Sequence, residues 1–147
     1  MFAELFASPE PKLSRWYDMS EDRVRAFADV TEDWQDIHLD PDVGRAAGFD
    51  GAVVHGYLAL SMLSAMSYDV LPDLPADCVS VNYGFDRVRF IAPVPVGARI
   101  QGRFQMSEIE ENEGSARVRW DVSITCEGNE KPSVVADWLT YFKRKDV

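Results

Sequence analysis

"GAVVHGYLALSMLSAMSY", residues 51–68, carries no formal charge over eighteen consecutive positions. Such a run reaches the lower length limit of a membrane-spanning helix, about 18 apolar residues. Its composition argues otherwise, because His55, three serines and two glycines interrupt it. The strongly helical part, residues 57–68, would be about 18 Å long at about 1.5 Å per residue, short of a hydrocarbon core of roughly 30 Å. A helix apolar on every side, yet too short to span a bilayer, belongs in the middle of a soluble fold.

Upstream, "SEDRVRAFADVTED" (20–33) places Val24, Phe27 and Ala28 at helical spacing. Ser20 is its N-cap, and Glu21 and Asp22 complement the positive end of the helix. "DPDVGRAAGF" (40–49) reads as a short helical turn with Asp40 as cap and Pro41 at the first helical position, ending near Gly48. Downstream the period changes from 3.6 to 2. Ala98, Ile100, Gly102, Phe104 and Met106 alternate with polar residues, as do Val118, Trp120, Val122, Ile124 and Cys126. "FDRVRFI" (85–91) and "SVVADWLTYFK" (133–143) supply two more strands, the latter apolar on both faces and so central or at a subunit contact, and "LSRWYDM" (13–19) an early one. A buried helix followed by an antiparallel meander implies an α+β architecture with the sheet wrapped around the helix.

The 147 residues fit one domain, 1–147, and 46% hydrophobic with 27% charged residues describes a chain that folds. A net charge of −10 argues against nucleic acid and anionic membranes as partners, since both need a positive footprint. Arg87 and Arg89 could still receive an anionic small ligand locally. Two cysteines make no disulfide framework, and the N-terminus, with Glu4 in its apolar stretch, does not read as a signal peptide; cytoplasmic residence is the expectation.

The chemistry concentrates in "TEDWQDIHLDPD" (31–42), which holds four aspartates and His38. Read as a calcium loop from Asp36, it puts Pro41 where the turn glycine belongs and Ala47 where the bidentate Glu belongs, and no zinc-type spacing occurs, so no metal is expected. Ser61 and Ser64 lack a nucleophile elbow, and Cys78 lacks a motif around it. General acid/base work remains: a loop leaving the helix at Asp33 can bring its carboxylate to the His38 imidazole. The plainer alternative has Asp33 ending its helix in solvent and His38 packing locally. The second histidine, His55, is either a core residue satisfied by backbone or part of a ligand site; Gly56 after it lets a ligand reach N–H groups at a helix start, which stabilise an enolate-like oxygen.

Asp33 to His38, followed by "VVHGYLALSMLS", resembles the MaoC-like dehydratases, the (R)-specific enoyl-CoA hydratases. "DWQDIHLDP", "NYGFDRVRFIAPVPVGARI" and "KPSVVADWLTYF" resemble its nodulation protein N-like branch most. The resemblance runs from about residue 17 to 142. It implies a hotdog fold, normally homodimeric, that adds water to a trans-2-enoyl thioester to give the (3R)-hydroxyacyl product, or the reverse, without cofactor. It implies Asp33 and His38 as the catalytic pair, the Gly56 N–H as binder of the thioester carbonyl, and Ser64 as support for Asp33 or pocket wall, with Gln35 and His55 beside the substrate. Glu32, Gln35, Asp36 and Gly44 stand where the family pattern has Gly, Asn, Pro and Ala or Ser. The substrate would be acyl-CoA or an acyl carrier protein thioester. A hotdog thioesterase and a non-catalytic acyl-thioester binding subunit are the rival readings.

Overall fold

The computed structural model describes residues 1–8 and 10–145 and is organised around a six-stranded sheet. The strands are β1 (Lys12–Leu13), β2 (Tyr17–Asp18), β3 (Cys78–Phe90), β4 (Arg99–Asn112), β5 (Ser115–Cys126) and β6 (Val134–Arg144). They pair antiparallel in the order β1-β4-β5-β6-β3, with β2 also on β4. The period-2 expectation holds along β5, where Ala116, Val118, Trp120, Val122, Ile124 and Cys126 are buried. β6, apolar on both faces, lies between β5 and β3. On β4 the buried residues are Ile100, Gly102 and Phe104, and an irregularity between Met106 and Glu108 then shifts the phase so that Ile109 packs inward. That shift hides from sequence alternation a strand that continues to Asn112. The early strand is split into the two short pieces β1 and β2.

Among the described residues five helices accompany the sheet: α1 (Phe2–Phe6), α2 (Glu21–Thr31), α3 (Asp36–Leu39), α4 (Pro41–Ala46) and α5 (Gly56–Val70). Periodicity does not announce α1 or α3, each too short to complete a repeat. Ser20 caps α2 by accepting from the Arg23 N–H at 3.2 Å, and Asp40 caps α4 by accepting from the Asp42 N–H at 2.8 Å. α2 stops two residues earlier than expected, because Glu32 adopts a left-handed conformation with φ 60°.

α5 buries Leu58, Ala59, Leu63, Met66 and Val70 against the sheet. It crosses β4 at Gly102, where a Cβ would lie 2.7 Å from the Met66 sulfur. The expectation that this helix is buried on every side needs correction. Tyr57 and Tyr68 are 70% and 84% exposed, and Ser61, also exposed, lies with them on one side of the helix. Beyond the sheet's far end, α1 packs Phe2 and Phe6 on Phe142, while Glu111 accepts the N–H groups of Phe2 and Ala3. Among the described residues no helix is long and apolar enough to cross a membrane.

Candidate active site

The turn after α2 decides where the reactive groups go. The left-handed Glu32 ends the helix, and the Asp33 N–H returns to the Ala28 carbonyl at 3.1 Å, which turns the chain toward α3. α3 is then laced to the segment before α5: Val53 donates to Ile37 O at 3.0 Å, and His38 Nδ1 lies 2.6 Å from Val53 O. His55, the residue before α5, donates from Nε2 to the main-chain oxygen of Asp33 at 3.0 Å. One oxygen of Asp33 and one nitrogen each of His38 and His55 thereby lie within 4.8 Å of one another. Two residues five apart in sequence meet because a helix stop and a single helical turn fold the chain back on itself.

Carbonyl oxygens only accept, so the bond to Val53 fixes the His38 proton on Nδ1 and leaves Nε2 with its lone pair free for a water or substrate proton. Burial pushes the His38 imidazole below its ordinary value of 6.5, and nearby His55 adds to this; the Val53 bond and Asp33 pull the other way without reversing it. The imidazole is therefore held in the neutral, proton-accepting form.

The supporting residues divide. Gln35 caps α3 through its backbone position, and its main-chain N–H, not its amide, approaches the Asp33 carboxylate, at 3.5 Å. Asp36 takes the first position of α3, a place that suits proline and an acidic residue alike, so the turn survives the loss of proline. Gly44 is required by packing: a Cβ there would lie 2.0 Å from the Gly51 carbonyl oxygen. This close contact seats α4 on the segment that leads to Val53 and His55.

Gly56 is the first residue of α5, where backbone N–H groups have no partner within the helix. The Phe90 ring packs on it, 3.0 Å from where a Cβ would be, and both border a cavity of about 320 Å³ with Val53, Ala59 and Ser133. Ser64 does not reach Asp33. It accepts from the Asn82 amide at 3.4 Å and lines a second cavity of about 340 Å³ with Leu60, Tyr83, Phe85 and Trp138. Of the two arginines open to an anionic ligand, Arg87 is engaged by Asp137 at 3.5 Å, and Arg89 donates to the Val88 carbonyl at 3.1 Å. Sequence reasoning missed Val53 and Phe90: the first acts through its carbonyl, which no side chain advertises, and the second reads as one more strand residue.

The Asp33, His38 and His55 trio does not offer a good metal seat. The two imidazoles stack with centroids 3.8 Å apart and planes 26° from parallel. In-plane lone pairs of near-parallel rings run side by side and do not converge at the roughly 2.0 Å needed for an ion.

The family described as "MaoC like domain" matches residues 6–127. Nodulation protein N of Rhizobium meliloti is 38% identical over 137 residues, covering 90% of this chain and 85% of that protein. A 3-hydroxyacyl-thioester dehydratase Z of Mycobacterium tuberculosis is 32% identical over 143 residues, covering 95% of this chain and 94% of that one. The crystal structure of a MaoC-like dehydratase from Rhodospirillum rubrum superposes with a TM-score of 0.78 at 16% identity, covering 98% and 97% of the two chains. The fold is the hotdog fold.

Proposed function

Because this chain belongs to the MaoC-like hydratase and dehydratase family, we propose that it is an (R)-specific 2-enoyl-CoA hydratase, running equally as a (3R)-hydroxyacyl-CoA dehydratase. The observation that carries the reading is the meeting of the Asp33 carboxylate with a neutral His38 whose Nδ1 is pinned to Val53. Water held between the two gives its oxygen to C3 of the enoyl thioester as His38 Nε2 takes its proton; a proton is returned at C2, so the sum is one water added. Negative charge grows on the thioester oxygen meanwhile, and the Gly56 N–H at the start of α5 stabilises it. Dehydration is the same path in reverse.

The substrate in this reading is a short to medium acyl chain on CoA or on an acyl carrier protein, the protein is cytoplasmic, and the active form is a homodimer. Support for the dimer comes from β3, an edge strand of thirteen residues that leaves Val79, Val81, Tyr83 and Phe85 exposed. Unpaired apolar edges of that length are rarely left open, because they invite another chain to pair.

The test is hydration of crotonyl-CoA and longer 2-enoyl-CoAs, followed by loss of enoyl absorbance and chiral analysis of the product. Formation of the (3R)-hydroxyacyl-CoA is expected, with Asp33→Asn and His38→Ala each lowering kcat/KM by about 10²–10⁴-fold. Release of free thiol from saturated acyl-CoA would point to thioester hydrolysis, and binding without turnover to a non-catalytic subunit.

A further inference from the structure

His55 precedes the first turn of α5, yet its side chain does not cap that helix. Its Nε2 donates instead to the main-chain oxygen of Asp33, twenty-two residues earlier. One face of the ring stacks on His38 at 3.8 Å, and Phe27 packs on it at 5.0 Å. The residue is 2% exposed, leaving no surface on which a substrate could rest. Its remaining nitrogen, Nδ1, is buried with no hydrogen-bond partner. A phenylalanine would pack in the same space without that unpaired atom, so filling the core does not explain a histidine here. What only the histidine supplies is the donor to Asp33, and Asp33 needs one. It follows the left-handed Glu32, and among the described residues its carboxylate has only the distant Gln35 N–H at 3.5 Å to steady it.

Building on the hydratase reading, we propose that His55 is a positioning residue that never touches substrate: it fixes the backbone of Asp33 by hydrogen bond and the plane of His38 by stacking. The start of α5 is thus tied to the end of α2 through one ring. The residue that carries this ring is adjacent to Gly56, so acid, base and thioester-binding N–H share a single anchor.

The proposal is tested with His55→Phe, which retains a stacking ring and removes the donor, and His55→Gln, which retains an amide donor. Steady-state hydration of crotonyl-CoA should show kcat reduced about 10²-fold in His55→Phe with KM little changed, and partial recovery in His55→Gln. A kcat within about twofold of wild type in His55→Phe, or a loss confined to KM, overturns it. A second readout is independent of turnover: the carbonyl ¹³C resonance of Asp33 should move upfield in His55→Phe and return toward wild type in His55→Gln, in protein shown folded by circular dichroism. An unmoved Asp33 resonance in both variants overturns the positioning role. Wild-type protein without hydratase activity but with that pattern of shifts overturns the hydratase reading alone.

Discussion

The Nδ1 of His38 sits 2.6 Å from the main-chain oxygen of Val53, a contact bridging fifteen residues. It decides which nitrogen of His38 is left free and ties the ring to a segment held on both sides. Val54 donates to Val94 O at 2.8 Å and Val96 to Ala52 O at 3.0 Å. The His38 ring is anchored by backbone, which substitutions in side chains disturb least.

The pH dependence follows from that environment. Burial holds the imidazole below 6.5, so its neutral form persists as the medium acidifies, and the acid limb of kcat/KM is expected below pH 6.5. The sign for stability is set the same way. The unfolded chain takes up this proton first as pH falls through 6.5, so the residue's contribution to folding weakens below that value. Rate profiles and thermal unfolding between pH 5 and 8 check both.

Glu32 pays a conformational cost for its left-handed turn. Glu32→Gly relieves it while loosening the unfolded chain, for a net gain of about 0.5–1 kcal/mol. A rise in Tm of about 2–3 °C is expected for a chain of this size. A fall in Tm would mean that the glutamate side chain makes a contribution larger than the strain.

At Gly44 the expected sign is opposite. A methyl group would meet the Gly51 carbonyl at 2.0 Å, and backbone cannot swing aside as a flexible side chain does. Gly44→Ala should cost about 1–3 kcal/mol in denaturant unfolding and also lower kcat, because the displaced segment carries Val53 and His55.

Glu111 offers an acid-sensitive clamp far from the site. Hydrogen bonding to the N-terminal ammonium, joined by the Ala3 and Phe2 N–H groups, lowers its carboxyl from 4.5 to about 2. A depressed acid stabilises above its unfolded value and loses that contribution as pH falls toward its folded one. Between pH 4.5 and about 2 the wild type should therefore lose stability more steeply than Glu111→Gln, as measured by unfolding midpoints across that range.

Much of this arrangement was legible before the structure. The uncharged run gave α5, the period-2 stretches gave β4, β5 and β6, and Asp40 announced the cap of α4. Of β3, the sequence expectation covers only residues 85–90, although Val79, Val81, Tyr83 and Phe85 alternate with Ser80, Asn82, Gly84 and Asp86. An irregularity between Phe85 and Arg87 shifts the alternation onto Val88 and Phe90, so the whole strand shows no single period. Ser64 could be placed on the helix yet not on the correct side of it, and the partners of His38 and His55 are main-chain oxygens, which leave no trace in side-chain chemistry.

The crossing at Gly102 reaches further than its position on β4 suggests. Met66 touches it about ten residues along α5 from Gly56, roughly 15 Å at 1.5 Å per residue, and a helix transmits tilt like a rod. A single hydrogen in place of a side chain thus works as the fulcrum of a lever whose far end aims the N–H groups of the first turn. A strand position far from the start of α5 is in this way held to the tolerances of that helix's first turn.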